Sequence, residues 1–253
     1  MSSTIQHLTS ARNPLLKDVR RAADRGTLTE GGFCVAEGMH LLEDARRAKC
    51  EIGAILAVEN IAERVNKRSE PVYSMSAELF KEISTTETTQ GVIALVRPPK
   101  LALKKQAPLV LLDGIQDPGN AGAIVRAAEA FGAGGVVFLK TTVSPFNPKC
   151  LRSSAGSLFR LPLLSGLADD LIRKELEGIP FYAAEAHTGQ SIDETTWPSA
   201  CAIVIGSEAH GVSPNWSAGA NLVRIPTSGV ESLNAAVAAA VILYEVRRHR
   251  NPS

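Results

Sequence analysis

The chain has 253 residues, a hydrophobic fraction of 45% and a formal net charge of +1. This length fits one large domain or two of ordinary size, with enough apolar residues for buried cores. The segment from Met1 to Leu15 lacks an apolar signal core, and the longest apolar run, Ala235 to Leu243, is too short to cross a bilayer. We therefore expect a globular protein with a cytoplasmic location and no membrane partner.

The first third of the chain alternates helical and strand-like segments. Helical periodicity or charge patterning predicts helices at residues 14–21, 39–48, 60–68 and 77–83. Short apolar runs predict strands at residues 33–36, 52–58, 72–75 and 92–96. These elements predict a small α/β domain over residues 1–97, followed by a proline- and lysine-rich linker at 98–108.

The rest of the chain, residues 109–253, is predicted to form a second domain in which strands and helices alternate. Predicted strands are residues 109–112, 136–139, 158–164, 181–184, 202–205 and 222–225. Predicted helices are residues 121–131, a short helix within the loop 140–160, 167–177 and a final helix over 235–243. This alternation predicts a parallel sheet with right-handed crossovers.

Three loops rich in glycine and polar residues follow predicted strands, at residues 113–120, 206–214 and 227–234. In parallel sheets, ligands bind beyond the carboxyl ends of the strands, so these loops indicate a common site. Ser232 and Asn234 also precede the final helix, where ordinary N-capping would explain them equally well.

Simple nucleotide-binding patterns are absent. The glycines of residues 132–135 follow a helix instead of opening one, and no G-x-G-x-x-G follows a strand, which argues against an NAD site. The P-loop pattern is missing as well. Four cysteines, Cys34, Cys50, Cys150 and Cys201, lie far apart without a C-x-x-C pair or a histidine at ligand spacing. We expect neither a metal site nor a disulfide framework.

Two stretches are locally basic and are either solvated surfaces or phosphate-binding surfaces. The first, residues 12–25, includes Arg12, Arg20 and Arg21, and the second, residues 140–160, includes Arg152 and no acidic residue. The aromatic fraction of 5% disfavours a base-stacking platform for single strands. Any binding of RNA would therefore rest on shape and phosphate contacts.

The three loops, in their order and spacing, resemble the three motifs of the SpoU (TrmH-type) RNA ribose 2'-O-methyltransferases of the SPOUT superfamily. The matching motifs are DPGNAGAIVRAAEAFG at residues 117–132, IVIGSEAHGV at 203–212 and IPTSGVESLNAAV at 225–237. A shorter resemblance to the family's substrate-binding module covers residues 10–14 and 33–38. The resemblance implies an α/β fold: a parallel-sheet domain with a deep trefoil knot, preceded by a smaller RNA-binding α/β domain.

The resemblance also implies S-adenosylmethionine as cofactor and a set of site residues. Backbone groups at Gly206, Ile225 and Leu233 match the family positions that hold the cofactor. The matching catalytic positions are Asn120, Arg126, Glu208, Ser232 and Asn234.

Alternatives remain open for individual residues of this set. Arg126 could instead form a surface ion pair with Glu129 at i+3. Glu208 could orient Asn120 or Arg126, or accept backbone amides in its own turn. His210 matches no catalytic position of the family and is expected to be an exposed loop histidine.

Arg152 lies in RSSAG at residues 152–156, which resembles a family segment near the active-site cleft, so we expect it to contact RNA with Arg12, Arg20 and Arg21. The implied partner is structured RNA, with ribosomal RNA favoured over transfer RNA. The implied assembly is a homodimer, for which the alanines Ala235, Ala236, Ala239 and Ala240 would allow close packing, although packing within one chain explains them equally well. The alternative function is a non-catalytic RNA-binding or ribosome-associated factor on the same fold.

Overall fold

The computed structural model describes residues 4–66 and 68–250, and the chain divides into two compact units. The first unit comprises residues 1–99 and 146–160, and the second comprises 100–145 and 161–253. The segment 146–160 therefore folds with the first unit although it lies, in the chain, between two strands of the second. The predicted linker, 98–108, falls largely within the second unit.

The elements are numbered in chain order. The strands are β1 Ile5–His7, β2 Cys34–Glu37, β3 Ile52–Val58, β4 Val72–Met75, β5 Val92–Val96, β6 Leu109–Asp113, β7 Gly135–Phe138, β8 Leu163–Ser165, β9 Phe181–Ala184, β10 Gln190–Ser191, β11 Ala202–Gly206 and β12 Asn221–Arg224. The helices are α1 Pro14–Arg25, α2 Met39–Arg47, α3 Glu59–Val65, α4 Ala77–Lys81, α5 Pro118–Ala130, α6 Pro148–Ser153, α7 Asp169–Glu175, α8 Pro214–Ser217 and α9 Ala235–Arg250.

The first unit is built on a mixed five-stranded sheet in the order β1-β4-β3-β5-β2. Strands β1, β4 and β3 are parallel, whereas β5 is antiparallel to both β3 and β2. Helix α1 begins because the Asn13 side chain accepts a hydrogen bond from the Leu15 amide at 2.9 Å and Pro14 follows the cap. Its buried face, including Leu16 and Val19, packs into the core with Phe80 of α4.

The second unit contains a seven-stranded sheet in the order β10-β12-β9-β11-β6-β7-β8. All of its strand pairs are parallel, as the alternation of strands and helices predicts. The central strands β6 and β11 are buried almost throughout, which explains their continuous apolar sequences. Because the strands are parallel, the loops after β6, β9, β11 and β12 emerge at one edge of the sheet.

Most predicted elements are present, with three informative differences. The predicted strand 158–164 is a 3-10 turn at Ser157–Phe159 followed by the short strand β8, since Pro162 interrupts the run and cannot donate a backbone hydrogen bond. Helix α5 begins at Pro118, before the predicted start at residue 121. The short elements β1, β10 and α8 were not predicted, because segments of two to four residues carry too little periodicity.

Candidate active site

A chain of side-chain hydrogen bonds joins the three predicted loops. The Nδ2 amide of Asn234 donates to Oδ1 of Asn120 at 3.2 Å, and Nδ2 of Asn120 donates to Oε1 of Glu208 at 2.5 Å. Glu208 therefore orients Asn120, which is one of the roles expected from the sequence. Residues from the turns after β6, β11 and β12 thus hold one another in fixed orientations.

The two asparagines are positioned by helix starts. Asp117 caps α5 by accepting the Asn120 amide at 2.9 Å, so Asn120 lies in the first helical turn and not in a loop. Asn234 caps α9, since its Oδ1 accepts the Ala236 amide at 3.0 Å. Asn234 has both roles. Its side-chain oxygen caps α9, and its side-chain amide nitrogen donates to Asn120.

The ends of β6 and β11 are held close by one buried aspartate and one glycine. Asp113 is 5% exposed and accepts the Ser213 amide at 2.6 Å, which fixes the loop after β11 against the end of β6. At Gly206, a Cβ atom would lie 2.0 Å from the carbonyl carbon of Gly211. Only glycine therefore allows the tight turn that the bridge between Ser207 and Gly211 closes.

This turn forms one wall of a cavity of about 430 Å³ at the edge of the sheet. The three predicted cofactor-binding residues, Gly206, Ile225 and Leu233, all line it, as do Glu208 and Ser232. Apolar residues from the strands and from α9 form much of the remaining wall: Ile205, Val223, Ala235, Ala238 and Ile242. The cavity combines apolar walls with a few polar groups, which is the composition of small-molecule sites.

Several cavity residues were missed by the sequence analysis. Glu185 and His187 follow β9, and Glu231 precedes Ser232. Burial raises the pKa of the Glu185 carboxyl above its ordinary value. The rule that ligands bind beyond the carboxyl ends of parallel strands also applies to β9, so polar residues directly after that strand were the available signal.

The remaining predicted residues of the second unit are exposed. Arg126 lies on α5 beyond Asn120, and within residues 4–66 and 68–250 its side chain has no hydrogen bond or ion pair, including none with Glu129. The Ser232 hydroxyl likewise has no hydrogen-bond partner among the described residues, so it does not cap α9. His210 lines the cavity as an exposed loop residue.

The four predicted RNA-binding arginines differ in their surroundings. Arg12 is exposed, and its side chain has no partner in the described part of the chain. Arg20 pairs with Glu82 at 2.5 Å, and Arg21 pairs with Asp18 and Glu30. Sequence patterning could not show these pairs, since two of the three carboxylates come from other segments of the unit.

Arg152 lies on α6 within the first unit. Its Nη1 donates to Oγ1 of Thr85 at 2.6 Å and lies 3.9 Å from Oε2 of Glu37. Burial lowers the pKa of the Arg152 guanidinium, an effect that the Glu37 charge opposes. Contact with a phosphate would therefore compete with these intramolecular partners.

The described residues contain neither a metal-binding cluster nor a membrane-spanning helix. No group of three or more histidine, cysteine, aspartate or glutamate side chains is arranged to hold a metal ion in residues 4–66 and 68–250. Within the same ranges, no helix combines the length and apolarity needed to span a membrane.

Comparisons with known proteins agree with this geometry. Residues 107–244 match the SpoU rRNA Methylase family, and residues 13–94 match the MRM3-like substrate binding domain. The chain is 31% identical over 252 residues to the 23S rRNA (guanosine(2553)-2'-O)-methyltransferase of Bacillus subtilis (strain 168), covering 96% of this chain and 100% of that protein.

Solved structures show the same fold. The SpoU methyltransferase AviRb of Streptomyces viridochromogenes, in complex with AdoMet, has a TM-score of 0.85 at 26% identity, covering 94% of this chain and 98% of that one. An rRNA methyltransferase from Sinorhizobium meliloti has a TM-score of 0.81 at 26% identity, covering 97% of this chain and 98% of that one. The chain belongs to the SpoU rRNA Methylase family and is an S-adenosylmethionine-dependent RNA ribose 2'-O-methyltransferase.

Proposed function

We propose that the cavity and the three loops around it form the methyl-transfer site, and that the substrate is ribosomal RNA. The observation that carries this proposal is the hydrogen-bonded chain from Asn234 through Asn120 to Glu208, whose last member lines the cavity. Such a chain fixes polar groups beside a ligand site before the ligand arrives, which is what alignment of two reactants requires.

The residues of the cavity fit the cofactor. The close backbone approach at Gly206 leaves main-chain groups free of side-chain cover, and such groups suit the polar edge of an adenine. Ile225 and Leu233 supply apolar surface for the faces of the ring. When bound, S-adenosylmethionine supplies an activated methyl group on a sulfonium, so alignment provides much of the rate enhancement and no metal is required.

The remaining polar residues act on the RNA in this proposal. Ser232 and Asn234 position the ribose hydroxyl in line with the methyl group, and Glu208 keeps Asn120 oriented toward them. An arginine side chain is charged at any ordinary pH and is a poor general base by itself. Arg126 therefore binds the target nucleotide's phosphate through its planar guanidinium, and in that setting its positive charge stabilises the 2'-oxygen as the hydroxyl proton passes to water.

The first unit is the proposed RNA-binding part of the enzyme. Residues 1–97 bind the substrate, residues 98–108 link the two domains, and residues 109–253 carry out methyl transfer. The match of residues 13–94 to the MRM3-like substrate binding domain supports this division. Arg12, Arg20, Arg21 and Arg152 are the proposed phosphate contacts, and Arg152 must exchange Glu37 and Thr85 for the phosphate.

The proposed assembly is a homodimer that packs through α9. Ala235 and Ala239 are buried within the chain, so the alanine-rich face that the sequence suggested for dimer packing is not fully available to a partner. Val237, Val241 and Tyr244 are 49%, 37% and 56% exposed and lie on one side of the helix. Val241→Glu should give a monomer in sedimentation velocity, whereas the wild type should sediment as a dimer.

Two further features belong to the proposal. We propose that the C-terminal part of the second unit is threaded as a trefoil knot, which the fold match to SpoU methyltransferases supports. We also propose a cytoplasmic location, where ribosomal RNA is accessible.

The proposed substrate is tested by mapping 2'-O-methyl groups in total RNA from cells with and without the gene. Loss of a methyl group from ribosomal RNA is the expected result, whereas loss confined to transfer RNA would contradict the substrate. A protein that binds RNA but not S-adenosylmethionine in calorimetry would instead be a non-catalytic RNA-binding factor.

The phosphate contact proposed for Arg152 is tested by the variant Arg152→Glu. An unchanged salt dependence of its RNA affinity would show that the contact is not made.

A further inference from the structure

Glu185 occupies a fixed position at the wall of the cavity. It is the first residue after β9, and its backbone amide donates to the Val223 carbonyl at 2.8 Å, which holds it in register with β12. Its Oε2 lies 3.8 Å from the position that a Cβ atom would take on Gly211. The carboxylate is therefore directed toward the turn after β11, the same turn that forms another wall of the cavity.

The described part of the chain supplies no stabilising partner to the Glu185 carboxylate. Among residues 4–66 and 68–250, no side chain or backbone group donates a hydrogen bond to it, and no cation pairs with it. Its burial raises its pKa, and no neighbouring charge offsets that effect. A half-buried carboxylate without donors is costly for the folded protein, and a bound cation would remove part of that cost.

The ionisable side chains of the cavity wall include more acidic than basic groups. The ionisable residues that line it are three carboxylates and two histidines, and no lysine or arginine is present: Glu185, Glu208, Glu231, His187 and His210. Glu208 is already engaged with Asn120, and Glu231 is exposed to solvent, so Glu185 is the half-buried carboxylate of this group. Such a wall disfavours anionic ligands and favours a ligand with positive charge.

The cofactor and its demethylated product differ in the charge on their sulfur atom. S-adenosylmethionine carries a sulfonium, whereas S-adenosylhomocysteine has a neutral thioether and is otherwise nearly identical. We infer that the Glu185 carboxylate acts on this charge and makes the cavity prefer S-adenosylmethionine over S-adenosylhomocysteine, which speeds exchange of the spent product for fresh cofactor. This inference rests on the proposed function, because it requires the cofactor to bind in this cavity.

The inference is tested by calorimetric titration of the full-length protein with three ligands at pH 8. They are S-adenosylmethionine, S-adenosylhomocysteine and sinefungin, which carries a protonated amine where the cofactor has the sulfonium. In Glu185→Gln, the affinities for the two charged ligands should fall about tenfold, and the affinity for S-adenosylhomocysteine should change less than about twofold. The matched control is Glu177→Gln, an exposed carboxylate of the second unit that does not line the cavity and should affect all three ligands only slightly.

The ligand set separates the possible outcomes. An equal loss for all three ligands in Glu185→Gln would mean that the residue contacts a part they share, and it would overturn the inference. The same holds if the variant keeps the wild-type preference. If Glu185→Gln fails to fold by circular dichroism, Glu185→Asp replaces it, and an unchanged preference with a displaced carboxylate would count against the inference. A wild type that binds none of the ligands would refute the proposed cofactor site itself, a result distinguishable from failure of the Glu185 assignment alone.

Discussion

Two carboxylates, one in each unit, differ sharply in their surroundings. Glu37 in the first unit is 3% exposed and accepts hydrogen bonds from Ser84 and Thr85 at 2.6 Å and 2.7 Å, with further bonds from Thr86 and Thr89. Burial by itself would raise the pKa of Glu37, but these donors outweigh it and the pKa is lowered. Glu185 in the second unit has no donor among the described residues, and its pKa is raised.

The arginines show the same contrast. Arg152 in the first unit is held by Thr85 and Glu37, whereas Arg126 in the second unit is exposed without a partner in the described ranges. A polar group whose bonds are all satisfied within the fold stabilises that fold. A polar group left unsatisfied by the fold can gain free energy from a ligand, and this difference separates structural from functional charges.

The largest expected effect is on catalysis at Arg126. Arg126→Ala should lower the rate of methyl transfer by about a hundredfold or more, because the target phosphate would lose the charged partner that the proposed function assigns to it. Transfer of a labelled methyl group to RNA at saturating substrate measures this, with cofactor affinity expected to be unchanged. Arg64, an exposed arginine on α3 of the first unit, provides the control, and Arg64→Ala should transfer methyl groups at the wild-type rate. A rate near wild type in Arg126→Ala, with RNA binding intact, would show that Arg126 has no catalytic role.

The next largest effect is on stability at Glu37. Glu37→Gln should lower the free energy of unfolding by about 2 kcal/mol at pH 7, since a neutral amide cannot accept the same set of bonds. Because the pKa of Glu37 is lowered in the folded state, its contribution is complete above the ordinary glutamate pKa and is lost as the pH falls through the folded-state value. Urea unfolding should therefore show the two proteins converging in acid.

The matched control is Glu87, an exposed carboxylate in the loop whose Thr85 and Thr86 donate hydrogen bonds to Glu37. Glu87→Gln should leave stability unchanged within about 0.5 kcal/mol. Equal stability of Glu37→Gln and the wild type at neutral pH would mean that the hydrogen bonds accepted by the Glu37 carboxylate do not stabilise the fold.

A smaller effect is expected from pH on cofactor binding. As the pH falls toward the raised pKa of Glu185, the carboxylate gains a proton and the affinity for S-adenosylmethionine should fall by up to about tenfold. The other ionisable residues that line the cavity with Glu185 are Glu208, Glu231, His187 and His210.

Comparison with Glu185→Gln isolates the contribution of this residue to the pH dependence. The variant lacks the Glu185 carboxylate, so its affinity should change less with pH than that of the wild type. Identical pH profiles for the two proteins, measured by calorimetry, would show that Glu185 does not titrate in the binding reaction.

The smallest effect is expected among the arginines of the first unit. Arg12→Ala should reduce the slope of log affinity against log salt for RNA by about 1, because its side chain has no partner to leave within the described residues. Arg20→Ala should change the slope less, since Arg20 must first leave Glu82. Equal changes in the two variants would show that internal pairing does not determine which cations contact RNA.

Local patterns in the sequence account for much of the fold. The apolar run of β6 predicts a buried parallel strand, and the Asp117-Pro118 pair marks a helix start by the usual capping chemistry. The placement of three polar loops after strands predicts a common site, because parallel strands end at the same edge of a sheet. The motifs within those loops then indicate the family and its cofactor.

The sequence by itself determined most of the longer elements, the parallel sheet of the second unit and the loops that meet at its edge, since these follow from periodicity and from short-range capping. Only the tertiary structure decided which polar groups are satisfied. Asn120 and Glu208 are 88 residues apart, and Arg152 and Thr85 are 67 residues apart, so neither pair leaves a local signal. Folding of residues 146–160 with the first unit pairs Arg152 internally, whereas Glu185 after β9 has no partner among the described residues, because hydrogen bonding depends on distances that chain order does not encode.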